Sequence, residues 1–147
     1  MSDTVIAGLR YVLTQTAAVT NLVPAARINT AYRDSAALPA ILLAPGNDSA
    51  VSPSMLRTDC LRRSTVEISV IASTLKAARQ AAEIIRKAVH GAKGTYSGVT
   101  VFEVREQGIT STYDIGSEAT EAGIHIATVS VECVYRADSV SPTTIAG

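Results

Sequence analysis

Along residues 65–89 the side-chain pattern switches from a period of two to one of about 3.6, with no linker between the two regimes. Val66, Ile68 and Val70 alternate with Thr65, Glu67 and Ser69 as in a half-buried strand; Leu75, Ala78, Ala82, Ile85 and Val89 then recur at helical spacing. A strand over 60–72 therefore feeds a helix that must fold back onto it. Ser73 or Thr74 can cap this helix and Gly91 closes it, with Lys87 and His90 near its negative end. Upstream, Ile6, Leu9, Val12, Leu13 and Thr16 share one side of a first helix, capped by Ser2 or Asp3, slightly weakened by Gly8 and finished near Thr16.

The remaining segments are shorter or less regular. A turn through 19–23 ends at Pro24, residues 27–29 read as a short extended piece, and residues 38–43 as a buried strand with Pro39 at its start, where a missing N–H does least harm. Residues 44–59, punctuated by Pro45, Gly46, Asn47, Asp48 and Pro53, read as a long irregular loop. Gly94 and Gly98 mark a turn before a strand over 99–105, with Phe102 and Val104 on one face and Val101, Glu103 and Arg105 on the other. Residues 107–123 form a second long connection that carries Asp114, Glu118 and Glu121 against no basic residue. It either extends as a projecting hairpin or is ordered by a partner. In the closing strand, 124–136, Ala127, Val129, Val131, Cys133 and Tyr135 alternate with Thr128, Ser130 and Glu132.

This order predicts an α+β fold: a mostly antiparallel β-sheet with two main helices packed on one face. Residues 1–138 make a single domain and residues 139–147, rich in Ser, Pro and Thr, a flexible C-terminal tail. The polar positions Glu67, Ser69, Ser130 and Glu132 leave the other face of the sheet to water or to another subunit.

Composition narrows the function. Thirteen basic and thirteen acidic residues cancel, which removes the footprint of an autonomous nucleic-acid or anionic-membrane binder and permits self-association. Six aromatic residues in 147 mean a core of small and branched side chains, one that gains from contacts between subunits. No run of residues has the length of a membrane span. Cys60 and Cys133 lie in strand-like surroundings with no signal-peptide pattern before them, and are expected as reduced structural thiols.

Candidate chemistry is sparse. His90 sits at a helix end and His125 at a strand start, and neither has a second His or Cys at metal-ligand spacing. A Cys–His pair from Cys60 or Cys133 with His125 is disfavoured, since alternation puts Cys133 on a core face. Asp114, Glu118 and Glu121 fall in a connection and not around a cleft, and Gly91, Gly94 and Gly98 follow a helix, the wrong end for cradling phosphate. No catalytic, cofactor-binding or metal site is expected. Arg57, Arg62 and Arg63 form the one basic cluster, either a solvated strand entrance paired with Asp59 or Glu67, or a patch that docks on an acidic neighbour.

With these elements placed, the chain resembles the tail-completion, or tail terminator, proteins of long-tailed phages and prophages, a family long filed as a domain of unknown function. The resemblance runs over residues 5–136: the N-terminal helix, Arg27-Ile28 after a turn, and the opening Leu38-Pro39-Ala40-Ile41. Val66-Glu67-Ile68-Ser69-Val70 then leads into the Ala-rich helix ending Ile84-Ile85-Arg86-Lys87-Ala88-Val89, followed by Tyr113-Asp114, Gly123 and the closing Val129-Ser130-Val131-Glu132-Cys133-Val134-Tyr135-Arg136. The resemblance implies a non-enzymatic virion protein, assembled in the host cytoplasm. It would form a homo-oligomeric ring, a hexamer by resemblance, at the head-proximal end of the tail tube, stopping tube polymerisation and receiving the head connector. Its partners would be copies of itself, the tail tube protein and the connector or stopper, with DNA passing through the lumen unbound. In such a ring Arg57, Arg62 and Arg63 are expected to meet Asp114, Glu118 or Glu121 of the next subunit, and Glu67, Glu103 and Glu132 to make the lumen acidic. The alternatives are another neck component or a tail-tube subunit and, from other classes, a small cytosolic enzyme or a ligand-binding module.

Overall fold

The computed structural model describes residues 2–30, 38–50, 61–96, 99–114 and 124–136. Helix α1 spans Ser2–Gln15, a one-turn α2 Ala17–Thr20 and α3 Leu75–Val89. Strands β1 (Ile28–Thr30), β2 (Ala40–Ala50), β3 (Leu61–Ala72), β4 (Gly94–Tyr96), β5 (Val99–Asp114) and β6 (Ile124–Arg136) form one sheet in the order β1-β2-β3-β6-β5-β4. Only β1 and β2 run parallel; every other neighbouring pair is antiparallel. The α+β architecture with two main helices is as expected.

The switch of period at residue 72 is the hinge of the fold. Val66, Ile68 and Val70 of β3 are buried, and two residues after β3 ends the Thr74 hydroxyl accepts the Ala77 N–H at 3.1 Å, capping α3. Ala78, Ala81, Ala82, Ile85 and Val89 turn one stripe of α3 down onto β3, β6 and β5. Their small size lets the helix lie close to the Val-rich strands beneath. Helix α1 buries Val5, Ile6, Leu9 and Leu13 and touches β1 and β2 at one margin and β4 and β5 at the other. A 14-residue helix is about 21 Å long, less than the roughly 24 Å across six strands, so the sheet curls toward it. One continuous core results.

Two expectations change. Residues 44–50 are not an irregular loop but the second half of β2, paired with β3 through Ala50 and Arg62. Pro45 and Gly46 mark a bulge between Pro45 and Asp48 at the sheet margin, where a missing N–H and a bent backbone are tolerated. Residues 107–114 likewise belong to β5, which pairs with β6 as far as Asp114 and Ile124. This hairpin does not project over its described part, because β3 accompanies β6 to Ala72 and His125. Residues 51–60, 115–123 and 137–147, with Arg57, Cys60, Glu118, Glu121 and the expected tail, lie outside the described residues.

The bulges in β5 also correct a face assignment. Phe102 is the extra residue between Val101, opposite Tyr135, and Glu103, opposite Val134. Alternation shifts by one there: Val104 is buried while Phe102 is 45% exposed under the Arg136 guanidinium, 5.5 Å from the ring centre.

Candidate functional site

Among the described residues helices occupy one side of the sheet, which leaves its other side and the two margins as candidate contact surfaces. The open face is built by the polar half of each alternation. Ser69 and Thr128 sit opposite one another with hydroxyl oxygens 3.0 Å apart, and Glu67 lies opposite Ser130. Thr65 lies opposite Glu132, and Thr110 opposite Thr128.

All three expected lumen acids, Glu67, Glu103 and Glu132, fall on this face, together with Arg63 and Arg105. Arg63 reaches Glu132 at 3.1 Å and Arg105 reaches Glu103 at 2.8 Å, while Gln107 donates to the second Glu132 oxygen at 3.1 Å. The Glu103 carboxylate raises the pKa of Arg105 through their hydrogen bond and its charge. Surface pairs of this kind contribute little to stability. Their larger effect is on the field: with Arg136, three described arginines stand against the three glutamates. Glu67 is exposed, with no ion pair among the described residues.

The arginine cluster is divided. Successive β3 residues point to opposite faces, so Arg63 lies on the open face and Arg62 on the helix side. There Arg62 donates to Asp48 at 3.0 Å, and the buried Tyr135 hydroxyl donates to the other Asp48 oxygen at 3.0 Å. This network joins β2, β3 and β6 through side chains. Burial, then the bond to Asp48, pushes the Tyr135 hydroxyl up to about 12. Burial likewise pushes the Cys133 thiol, fully enclosed and free of any disulfide, up to about 12. A thiol so placed is a poor nucleophile.

Arg62 and Arg63 also stand far along the strands from Asp114, the one described acid of the expected set Asp114, Glu118 and Glu121. They register with Tyr135 and Val134 at one end of β6, whereas Asp114 registers with Ile124 at the other. The ten steps from Arg62 to Ala72 measure about 33 Å. Copies side by side at equal height cannot bring these charges together; copies stacked end to end can.

Among the other candidates, the His90 ring accepts the Glu106 N–H at 3.4 Å beside the C-terminus of α3. No group of three or more His, Cys, Asp or Glu among the described residues is placed to hold a metal ion. No described helix is long and apolar enough to cross a membrane. Sequence reasoning missed an apolar recess of about 190 Å³ between α1 and β4, lined by Val5, Leu9, Val12, Val101 and the rings of Tyr11 and Tyr96. Those rings pack 5.7 Å apart and remain 52% and 39% exposed. Gly8 on α1, every third or fourth residue from Val5, Tyr11 and Val12, was the available signal: a Cβ there would stand 3.5 Å from that of Tyr96.

Comparison with known proteins gives this geometry a family. The fold is similar to that of a chain in a solved structure described as "Virion of native gene transfer agent (GTA) particle". The TM-score is 0.61 and the identity 18%, over 88% of this chain and 97% of that one. None of the curated proteins matches the chain. The sequence model of the family described as "Tail completion protein gp17" matches residues 7–135, nearly the whole domain including every described strand, and the chain belongs to that family.

Proposed function

We propose that this chain is a structural virion protein that completes the tail: copies form a ring, a hexamer by resemblance, on the head-proximal end of the tube, end its polymerisation and receive the head connector. The match to the tail-completion family over residues 7–135 carries this reading. The likeness to a chain from a gene transfer agent virion agrees with it, and so does a molecule whose notable surfaces are a broad open sheet face and two sheet margins. The protein works by shape and not by turnover. Its partners are further copies, the tube protein and the connector or stopper, with DNA passing unbound through the ring.

Within this reading the open face lines the channel, with Glu67, Glu103 and Glu132 among its lining residues. Arg62 and Arg63 register toward the opposite end of the strands from Asp114; in this reading the cluster Arg57, Arg62 and Arg63 and the acids Asp114, Glu118 and Glu121 serve contacts along the tail axis. The test is deletion of the gene in its phage or prophage, followed by electron microscopy. Free filled heads and tails of uncontrolled length are expected, with normal particles restored by supplying the chain in trans. Normal joined particles from the deletion would refute the proposal. A defect in head–tail joining with tails of normal length would favour the connector or stopper reading.

A further inference from the structure

The two margins of the sheet are uneven in a complementary way. At one margin β1 covers β2 only at Ile41, Leu42 and Leu43, so that residues 44–50 of β2 have no outer strand among the described residues. At the other, β4 covers Val99, Thr100 and Val101 of β5, and the α3 terminus covers the next stretch, where the Gly91 N–H donates to the Val104 carbonyl at 2.9 Å and His90 receives the Glu106 N–H. Beyond that, residues 108–114 of β5 have no outer strand among the described residues.

The pairing registers place these features at matching heights. Asn29, Leu42, Ser69, Thr128 and Thr110 form one row across the sheet, with β1 at its far left and a bare edge at its far right. Toward the other end of the strands the outline of the described residues reverses: residues 90–96 stand out on the right, while β2 has no described strand outside it on the left. One copy's step fits the next copy's notch. Strand polarity agrees, because β1 runs with β2, opposite to β3, with β6 and opposite to β5, so β1 of a second copy meets β5 antiparallel.

Composition points the same way. Exposed edges are ordinarily blunted by Lys, Pro or a bulge, yet residues 108–114 contain no proline, no register shift after Gly108 and no charge before Asp114 at their end. The opposite strand, Ile28-Asn29-Thr30, is also uncharged. The exposed Tyr11–Tyr96 pair flanks the protruding segment where the second copy's β2 would arrive.

We propose that residues 108–114 of β5 pair, antiparallel and at the height of Asn29 opposite Thr110, with β1 of a second copy of this chain, so that the sheets of neighbours join edge to edge. The contact is heterologous: each copy offers one margin and receives the other, the kind of joint that closes into a ring. Its closure rests on the proposed tail-completion role; the joint between two copies does not.

Disulfide trapping tests it. Asn29→Cys and Thr110→Cys lie on the same open face, within disulfide reach if the strands pair. They are combined with Cys60→Ser and oxidised with copper phenanthroline, in concentrated purified chain and in particles. The double variant is expected to give a ladder at multiples of 15.3 kDa, and neither single variant a ladder. A dimer from Thr110→Cys alone would mean that β5 edges meet symmetrically, and no ladder in either preparation would mean that the margins do not meet; either overturns the joint. A ladder from purified chain with the protein absent from virions would keep the joint and remove the tail-completion role. In the unmodified chain, amide exchange of residues 108–114 should slow about tenfold or more in oligomers relative to monomers, and unchanged exchange overturns the joint equally.

Discussion

Two polar side chains tie strands together. The Arg27 guanidinium, just before β1, donates to the Leu38 carbonyl at 2.8 Å and approaches that of Pro39 at 3.4 Å, tying the entry of β2 to that of β1. Arg27→Ala should lower stability by about 2 kcal/mol and the melting temperature by about 6 °C, read by circular dichroism. An unchanged melting temperature would show the contact to be ornamental. Tyr135 is the second. Its buried hydroxyl is neutral in the fold and titrates at about 12 against an ordinary 10. The Cys133 thiol does so at about 12 against 9. Both groups are held protonated by the fold, so their contribution is complete below the unfolded values and is lost as pH rises toward the folded ones. Unfolding free energy should therefore fall progressively from about pH 9 to pH 12. Tyr135→Phe, which removes the bond to Asp48 at a cost of about 2 kcal/mol near neutrality, should flatten the part of the fall between about pH 10 and 12. An unaltered slope in that variant would place the alkaline sensitivity elsewhere.

The elements differ in how plainly the residues announced them. Strand β3, helix α3 and strand β6 were legible because each keeps one period from end to end with one face wholly buried: Val66, Ile68 and Val70 against Ala127, Val129 and Val131, under Ala78, Ala82 and Ile85. Strands β2 and β5 were read short because both contain bulges, and a single extra residue inverts every later side chain, so a strict count of two fails after Pro45 and between Glu106 and Gly108, while the bulge at Phe102 inverted a face. Proline and glycine in such a run signal a bent margin strand as readily as a loop. The open face was foreseen from its polar positions; its charge balance was not, because pairing across strands depends on register, which the residues alone did not reveal. Gly108 is where the second β5 bulge ends, with φ +140° and no atom within 4 Å of where a Cβ would stand. Gly108→Ala meets no neighbour and isolates the backbone cost, which should be about 1–3 kcal/mol. The urea midpoint should fall with the slope unchanged, whereas an unaltered midpoint would mean that β5 reaches the same pairing without the left-handed residue.

At the scale of the whole molecule the question is which side of the sheet would face the channel of the proposed ring. The helix side is filled by the core, and if the open face instead lines the path of DNA, its balance of charge has a purpose: a strongly basic wall would retain the polyanion and a strongly acidic one would oppose its entry. Replacing Glu67, Glu103 and Glu132 together by lysine changes three charges by two units each, six per subunit, and leaves Arg63 and Arg105 without their acids. The lost ion pairs lie at the surface and contribute little to stability, so the variant should still fold and assemble. DNA ejection should then slow at low salt and recover as salt is raised, since counterion release governs the retention and screening weakens it. The matching glutamine triple removes the same ion pairs without making the wall basic, and should eject at the normal rate. Equal slowing in both triples would trace the effect to the lost pairs, and a normal low-salt rate in the lysine triple would mean that this face does not line the channel.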